Sequence, residues 1–562
     1  MKGIGLLPDD AIRAGARLLF SGSWRRFVEA TQDPRAAQTS RLLALVHRAK
    51  DTAIGREHDF GSIRTVEDFQ RAVPVRTYDD FEPYLSRMVE GESNVLIPDE
   101  PFFFGRSSGT TGTPKYIPVT PVYVAEYRLP RRVWARQVVQ AFPGLVRGRI
   151  LTMHSPRVEG TTPKGTPYGS VTVGLTTKPG AVEQALTGNP LDATPRAAFA
   201  IDDFDLKYYA ILRFAAQERV SLAAAINPST LVLFAKKLDE DAEALAKDLY
   251  DGTMRGLDAL PDATKKPLAM ALRKRPDAAR RLEASKAKHG YVVATDLWPE
   301  LCGLCCWKGG SAPFYTPQLE RYYPGREALD YGFLATEGGF SIPLSPQSKG
   351  GVVSVLGHFL EFVPEAGGDP VLADGLELGQ RYRVLITGSH GLYRYDINDV
   401  VECVGHFENT AEVAFVHKGG NMLSITGEKI GERHVVDAAA RAEAETGVAA
   451  AGFTVACRLT EPPRYVFAVE PRAALDEGAA RRYLAAFEAA LSDVNMEYAA
   501  KRSSQRLGAP ELWVVEPGAY DRERRRRVSD GAPDSHVKPP HLAKDVGFVK
   551  GLGVVARYGA DE

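Results

Sequence analysis

The sequence has few cysteines and no long apolar run. Its 562 residues include five cysteines, an odd number that argues against a disulfide framework and favours a reducing compartment. No stretch approaches the roughly 20 apolar residues of a membrane-spanning helix, and the first residues carry too short an apolar run for a signal peptide. We therefore expect a cytoplasmic protein without a membrane partner.

The sequence also lacks a large net charge of either sign. Lys and Arg number 70 against 71 Asp and Glu, which gives a formal net charge of -1. Nucleic-acid-binding proteins usually carry a strong basic field, so we expect no nucleic-acid partner. The phosphate-binding pattern GxxxxGK[ST] is absent as well, which excludes a nucleotide site of that type. Nothing in the sequence indicates an oligomeric state.

The length and the order of predicted elements indicate an α/β enzyme with two domains. A chain of 562 residues exceeds what one hydrophobic core usually supports. Helical and strand-like stretches alternate through much of the chain, which favours an α/β layer architecture. We predict a large N-terminal multi-layer α/β domain over residues 1–417. A smaller, mobile α+β domain is predicted over 418–562, with a hinge near 418–429.

Several elements can be predicted with bounds. Helical patterning covers residues 9–50, and Asp202 or Asp203 can cap a helix that runs to about Val220. In the smaller domain, the pattern predicts helices and strands in alternation. Those elements are the helix Val435–Glu445, the strands Phe453–Leu459 and Tyr465–Val469, and the helix Ala479–Leu491.

A loop rich in hydroxyl groups and glycine lies between two strand-like runs. It reads SSGTTGTPK. Glycines let backbone amides converge on one point, and the side chains add hydroxyl donors and one positive charge. Such a loop can hold a polyphosphate, whereas the alternative is a mobile surface turn. The residues that would bind phosphate are Ser107, Ser108, Gly109, Thr110, Thr111, Gly112 and Lys115.

A second motif, FLATEGG, places an aromatic residue four positions before a glutamate. The carboxylate of Glu337 could hold Mg²⁺ against ATP phosphates, because this hard cation prefers oxygen ligands. Phe333 could stack on a purine. The alternative is a strand end followed by an ordinary turn.

The remaining candidates lie in three later segments. Asp399 precedes a Val-Val strand and could accept hydrogen bonds from ribose hydroxyls, or it could be a turn aspartate. Lys418 and Lys429 flank a glycine-punctuated segment that suits a hinge. Lys538 lies in a polar, proline-rich loop, where most lysines are simply solvated.

In this order the motifs resemble the adenylate-forming superfamily, which includes acyl-CoA synthetases, luciferases and peptide-synthetase adenylation domains. Three stretches are more specific. YRYDINDVV at 393–401, LSITGEK at 423–429 and the approach from WPEL at 298–301 to KGG at 308–310 resemble the auxin-responsive Gretchen Hagen family of acyl acid amido synthetases, especially its bacterial branch. The resemblance spans about residues 70–545.

The resemblance implies a ligase that uses ATP and Mg²⁺ to convert a carboxylic acid into an acyl-adenylate. The acyl group then passes to an amine, typically an amino acid, without coenzyme A. The resemblance implies that Ser107 to Lys115 bind the ATP phosphates and that Phe333, close to Thr336, contacts the adenine. Glu337 would bind Mg²⁺ and Asp399 the ribose. Lys418 and Lys429 would lie at the hinge, and Lys538 would enter the site for the adenylation step.

Two positions depart from the family pattern. Asn398 stands where the family commonly has glycine, and Asp396 where it commonly has arginine, which predicts a differently tuned ribose strand. An acid–CoA ligase of the same superfamily stays open as an alternative, because it would use the same adenylation residues. A non-catalytic nucleotide-binding or scaffold protein is disfavoured, because Lys115, Glu337, Asp399 and a late lysine are all present.

Overall fold

The structure is a computed structural model that describes residues 7–107, 115–153, 158–171, 191–309, 312–418, 422–423, 425, 428, 430–460, 462–503, 507–530 and 537–559. The chain divides into two compact units. The first contains Met1–Gly309, Tyr315–Phe415 and Pro533–Ser535, and the second contains Gly310–Phe314, Val416–Ala532 and His536–Glu562. The predicted mixed α/β architecture is confirmed. Mobility of the second unit stays a prediction.

The first unit contains most of the helices. They are α1 Asp9–Leu19, α2 Ser21–Gln32, α3 Pro34–Ala49, α4 Ala53–Glu57, α5 Val66–Ala72, α6 Tyr78–Val89, α7 Pro121–Ala141, α8 Arg196–Phe199, α9 Phe204–Ala216, α10 Pro228–Glu240, α11 Ala242–Asp251, α12 Asp262–Ala271, α13 Pro276–His289, α14 Ala294–Leu297 and α15 Thr316–Tyr322. Within the described ranges of the whole chain, no helix combines the length and apolar character needed to cross a lipid bilayer.

The strands up to residue 418 form three sheets. They are β1 Phe103–Ser107, β2 Lys115–Val119, β3 Arg149–Thr152, β4 Gly160–Thr161, β5 Pro167–Gly169, β6 Val220–Ala224, β7 Gly303–Cys305, β8 Ala328–Leu329, β9 Ser341–Ile342, β10 Gly351–Val353, β11 Phe359–Pro364, β12 Arg381–Thr387, β13 Tyr395–Phe407 and β14 Thr410–Lys418. The sheet orders are β2-β1-β5-β4, β3-β6-β7-β8 and β11-β12-β13-β14-β10-β9. The second of these sheets is parallel.

Local signals explain where several of these elements begin and end. The Asp203 carboxylate accepts a hydrogen bond from the Leu206 amide at 2.7 Å, which caps α9 as predicted. The helix ends at Ala216 rather than near Val220, because Val220 begins the fully buried strand β6. The predicted helical region over residues 9–50 is confirmed as α1 to α3.

One large apolar core underlies the elements that carry the candidate site. It includes Phe103 and Phe104 of β1, Ile117 and Val119 of β2, and Tyr395 of β13 among its buried residues. Strands that share a core are held in a fixed relation by dense packing. The two strands that flank the predicted phosphate loop are therefore part of the same rigid body as β13.

The second unit is a smaller α+β body. Its elements are β15 Met422–Leu423, β16 Ile430–Gly431, α16 Glu432–Thr446, β17 Ala450–Arg458, β18 Arg464–Pro471, α17 Glu477–Val494, α18 Met496–Ser503, β19 Glu511–Val515, α19 Ala519–Ser529, β20 Leu542–Ala543, α20 Gly547–Gly551 and β21 Val554–Gly559. Its main sheet has the order β20-β17-β18-β19-β21. The helices and strands predicted between residues 435 and 491 are confirmed. Three of them extend beyond the predicted bounds at both ends, whereas the strand predicted over Phe453–Leu459 runs from Ala450 to Arg458.

Candidate active site

The predicted phosphate loop connects β1 to β2. These strands pair in antiparallel register, and Ser107 lies opposite Lys115 in the last pair. For Ser107 the structure describes the backbone, while Ser108, Gly109, Thr110, Thr111 and Gly112 lie outside the described residues. Their roles in phosphate binding stay predictions. The register shows that the loop starts and ends at adjacent points of the sheet.

Lys115 lies beside two tyrosines that the sequence analysis did not select. Its Nζ is 3.4 Å from Tyr395 Oη and 5.0 Å from the centre of the Tyr78 ring. Burial raises the pKa of both tyrosines, and the carboxylate of Glu337 adds to the increase in each. Asp399 adds to the increase at Tyr395. Glu337 and Asp399, predicted from separate motifs, thus both raise the pKa of Tyr395, and Lys115 from a third motif lies next to its hydroxyl.

Sequence information could have identified one of these tyrosines. Tyr395 stands within the YRYDINDVV stretch that carried the family resemblance, four residues before Asp399. Tyr78 had no comparable signal, since it lies at the first position of α6. Tyr78 contacts Lys115 only because of the tertiary fold. Its hydroxyl accepts a hydrogen bond from the Tyr116 amide at 2.6 Å.

Glu337 occupies the corner of a tight hairpin. The Ala335 amide donates to the Gly338 carbonyl at 2.9 Å, and the Gly338 amide donates back to the Ala335 carbonyl at 3.3 Å. Thr336 and Glu337 are thus the two corner residues. A Cβ atom at Gly338 would lie 2.7 Å from the His358 ring, so glycine permits this close approach. The glutamate projects from a geometrically constrained turn.

The oxygen donors at this corner fit Mg²⁺. Carboxylate and hydroxyl oxygens are the hard ligands that Mg²⁺ prefers, and this ion is usually held by one or two carboxylates together with substrate phosphates. Among the described residues, no cluster of three or more His, Cys, Asp or Glu side chains could enclose a metal ion. A single carboxylate such as Glu337 is what a Mg²⁺ ion held mainly by phosphate oxygens would need from the protein.

Phe333 lies deeper than its predicted role suggests. Its side chain is 3% exposed, and it stacks on Phe340 with 4.4 Å between ring centres. The ring centre of Phe415 lies 5.6 Å from the ring centre of Phe333. The ring is thus largely enclosed by aromatic neighbours, and its contact with adenine stays a prediction.

Asp399 lies on a bulge of β13. Arg383 of β12 pairs with Val400, but Leu385 pairs with Asp396, so the register shifts between them. Bulges often redirect side chains near functional sites. Asp399 is buried, and the bulge gives its position a structural basis that the sequence pattern did not contain.

The two residues that depart from the family pattern, Asp396 and Asn398, both lie at this bulge. Asn398 has a φ of 58°, and asparagine tolerates this left-handed conformation better than most residues other than glycine. Its amide donates to the Asp396 carboxylate at 2.8 Å, and that carboxylate accepts from Arg383 at 2.9 Å. Asn398 thus keeps a backbone shape that glycine would also allow, so the departure leaves this turn intact.

Substitutions at Asn398 test the bulge. We expect Asn398→Val to raise the half-saturating ATP concentration several-fold, because a β-branched residue at positive φ costs about 1–3 kcal/mol and would displace the bulge. Asn398→Gly serves as the matched variant and should keep near-normal ATP dependence. ATP titrations of both purified variants provide the measurement. Equal behaviour of the two variants would show that φ at this position is unimportant.

Lys538 belongs to the second unit, just before β20. The segment is tied to β17, where the Val455 amide donates to the His541 carbonyl at 2.8 Å and the Thr454 hydroxyl donates to the Pro540 carbonyl at 2.6 Å. Burial lowers the pKa of Lys538 to about 8, while the charge of Glu432 opposes the shift. A perturbed lysine on an anchored segment is unlike an ordinary solvated loop lysine.

The predicted hinge is only partly described. Lys418 is the last residue of β14, and Lys429 lies outside the described residues, so their hinge roles stay predictions. Glu428 is fully buried and accepts hydrogen bonds from the Ile425 amide at 2.7 Å and from the Tyr465 hydroxyl. Glu428 falls within the LSITGEK stretch, but no sequence signal distinguished it from its neighbours.

Comparisons with known proteins find relatives that match most of the chain. Indole-3-acetic acid-amido synthetase GH3.10 of Arabidopsis thaliana is 26% identical over 505 residues, covering 84% of this chain and 85% of that protein. Jasmonoyl–L-amino acid synthetase JAR6 of Nicotiana attenuata is 23% identical over 540 residues, covering 92% of each. The solved structure of GH3.15 acyl acid amido synthetase has a TM-score of 0.83 at 22% identity, covering 95% of this chain and 97% of that chain.

Family models match nearly the whole chain. The GH3 family N-terminal domain matches residues 23–328, the GH3 family central domain matches 351–418, and the GH3 family C-terminal domain matches 433–546. The order and spacing of these matches follow the two units seen in the structure. The chain belongs to the GH3 family.

Proposed function

We propose that the protein activates a carboxylic acid with ATP as an acyl-adenylate and transfers the acyl group to the amine of an amino acid. Family membership supports this, as do relatives named as amido synthetases of indole-3-acetic acid and as a jasmonoyl–amino acid synthetase. The observation that carries the proposal for this chain is the position of Lys115, whose Nζ lies 3.4 Å from Tyr395 Oη, beside a tyrosine whose pKa is raised by burial and by the Glu337 and Asp399 carboxylates.

In the first step, a carboxylate oxygen of the acid attacks the α-phosphorus of ATP. The bond from that phosphorus to the bridging oxygen breaks, and pyrophosphate leaves. Lys115 and the loop before it would hold the phosphates, Asp399 would bind the ribose, and Lys538 would stabilise charge on the α-phosphoryl oxygens. Mg²⁺, held by Glu337, would neutralise phosphate charge as a Lewis acid.

In the second step, the amine nitrogen attacks the acyl carbonyl carbon. The bond from that carbon to the AMP oxygen breaks, AMP leaves, and the nitrogen releases a proton to solvent. Holding the amine next to the activated acyl group supplies most of what this step needs, because the adenylate is already a good electrophile. We further propose that the second unit moves about residues 418–429 and brings Lys538 to the adenylation step.

A cytoplasmic location is part of the proposal. All five cysteines are free thiols, which suits a reducing compartment.

Exchange of labelled pyrophosphate into ATP tests the proposal directly. We expect exchange that depends on an added carboxylic acid, and a loss of about 100-fold or more in Glu337→Ala, since removing a group that stabilises transition-state charge has effects of this size. Glu92→Ala, at an exposed site on the same unit, is the control and should behave like the unmodified protein. Normal exchange in Glu337→Ala would contradict the assignment of the metal to this residue.

The acceptor is tested by product analysis. Acids that support exchange are incubated with ATP and either amino acids or coenzyme A. Amide formation with an amino acid is the expected result. Formation of a thioester without amide would instead favour the acid–CoA ligase alternative.

A further inference from the structure

Two tyrosines on helix α7 face the hairpin that carries Glu337. Tyr123 and Tyr127 are four residues apart, so they lie on the same face of the helix. The Tyr123 hydroxyl donates to the Thr336 carbonyl, and the Tyr127 hydroxyl donates to the Ala335 carbonyl at 2.9 Å. The two hydroxyl oxygens lie 3.4 Å apart. Both side chains thus contact the main chain immediately before Glu337.

The environment of these hydroxyls makes the hydrogen bonds hard to replace. Tyr123 and Tyr127 are both buried, and burial raises the pKa of each phenol, so both remain protonated donors. The Thr336 and Ala335 carbonyls that accept these hydrogen bonds are partly buried, so water replaces a lost tyrosine donor less well than at an open surface. The Ala335 carbonyl would keep only its 3.3 Å hydrogen bond from the Gly338 amide. The hydroxyls therefore hold two successive peptide groups of the hairpin in one orientation.

The hairpin is also confined by packing. Gly338 lies against the His358 ring, since an added Cβ would approach that ring to 2.7 Å. An added Cβ at Gly339 would lie 3.8 Å from the Tyr127 ring. The Tyr123 and Tyr127 hydroxyls thus hold the carbonyls of Thr336 and Ala335. The rings of His358 and Tyr127 lie against Gly338 and Gly339. Its two corner residues, Thr336 and Glu337, have little freedom to shift.

Helix α7 connects this hairpin to the phosphate loop. Strand β2 runs from Lys115 to Val119, and α7 begins at Pro121 after Thr120. The Thr120 hydroxyl caps the helix by accepting from the Tyr123 amide at 3.2 Å. One residue therefore separates the strand that carries Lys115 from the helix that holds the Glu337 hairpin. A rigid element of this kind fixes the spacing between a phosphate-binding lysine and a metal-binding carboxylate.

We propose that Tyr123 and Tyr127 are positioning residues that set the Glu337 carboxylate at the correct distance from the ATP phosphates for Mg²⁺ binding. The inference rests on the proposed function, because it takes Glu337 as the metal ligand. Neither tyrosine need touch the substrate for this role. Each acts through the main-chain carbonyl that precedes Glu337.

The test uses the full-length variants Tyr123→Phe and Tyr127→Phe, which remove the hydroxyl and keep the ring. We expect the Mg²⁺ concentration for half-maximal pyrophosphate exchange to rise about three- to tenfold in each, as expected for one lost hydrogen bond. The half-saturating concentration of the acid should stay unchanged. Calorimetric titration with ATP and Mg²⁺ should show the same weakening of binding without turnover.

A second measurement follows the hairpin itself. In the nucleotide-free protein, peptides covering residues 333–340 should exchange amide hydrogens with deuterium faster in both tyrosine variants. Tyr323→Phe is the matched control, because the buried Tyr323 hydroxyl donates to the Leu231 carbonyl at 2.8 Å elsewhere in the same unit. It should leave the Mg²⁺ dependence and the exchange of this peptide unchanged.

The possible outcomes separate the inference from the proposed function. A normal Mg²⁺ midpoint in both tyrosine variants, alongside a shifted midpoint in Glu337→Gln, would overturn the positioning role alone. A normal midpoint in Glu337→Gln would overturn the metal assignment and the inference with it. If Tyr123→Phe fails to fold, Tyr127→Phe decides the test, because its ring is less deeply buried.

Discussion

Lys538→Ala is expected to lower carboxylate-dependent pyrophosphate exchange by about 10²- to 10³-fold, which is the range found when one group that stabilises transition-state charge is removed. The same variant should still form the amide when supplied with a preformed acyl-adenylate, because the bond to pyrophosphate has already been broken in that substrate. Rapid-quench measurements of the two half-reactions would separate these effects. Lys544→Ala is the matched control, since Lys544 is an exposed lysine on the same segment.

The reaction should also depend on pH through this lysine. Burial lowers the pKa of Lys538 to about 8, and only the protonated ammonium can neutralise phosphoryl charge. Exchange should therefore be maximal well below that pH and fall as the pH rises through about 8. Lys538→Arg should lose this basic limb, because a guanidinium stays charged. An unchanged profile in Lys538→Arg would assign the limb to another group.

Arg394→Met is expected to lower the free energy of unfolding of the first unit by about 3–5 kcal/mol, the usual effect of removing one partner of a buried ion pair. Arg394 Nε lies 3.0 Å from Glu361 Oε2, with both side chains almost fully buried. Its Nη1 donates to the carbonyls of Gln70 at 3.0 Å and Val73 at 2.9 Å. The substitution leaves the Glu361 carboxylate with the Gln70 side-chain amide, 2.9 Å away.

Urea unfolding followed by tryptophan fluorescence provides the measurement. Four of the five tryptophans lie before residue 310, so the signal reports mainly on the first unit. Arg394→Met combined with Glu361→Met should recover part of the loss, since replacing both partners avoids an unpaired buried charge. Arg87→Met, at the exposed pair with Glu92, should leave the midpoint unchanged. A similar midpoint for Arg394→Met and Arg87→Met would show that burial adds nothing to the first pair.

Local sequence signals were sufficient for the elements with strong periodicity or clear caps. The helix after Asp203 begins where the capping aspartate places it, and the alternation of helices and strands in the second unit follows the predicted order. The family motifs also led to Lys115, Glu337 and Asp399, and the fold relates all three to Tyr395. These features depend on residues close in sequence or on a pattern already known from relatives.

Features that depend on distant packing could not be predicted. Tyr123 and Tyr127 contact the Glu337 hairpin across more than 200 residues, and no periodicity in α7 distinguishes these tyrosines from ordinary core residues. The burial of Phe333 could not be predicted either, because an aromatic residue in a motif can face a ligand or the core. The bulge that contains Asp399 depends on how β13 pairs with β12. The sequence of one strand alone does not specify that pairing.

The pairing of the segment after α5 with β13 has a consequence for synthesis of the chain. The Arg76 amide donates to the Arg394 carbonyl at 3.1 Å, and the Asp396 amide donates to the Arg76 carbonyl at 2.9 Å, so two stretches more than 300 residues apart close on each other. At a translation rate of about 5–20 residues per second, tens of seconds separate their emergence from the ribosome. The contacts that Arg76 and Lys115 make with β13 can therefore form only late in translation, long after the residues on the N-terminal side have been synthesised.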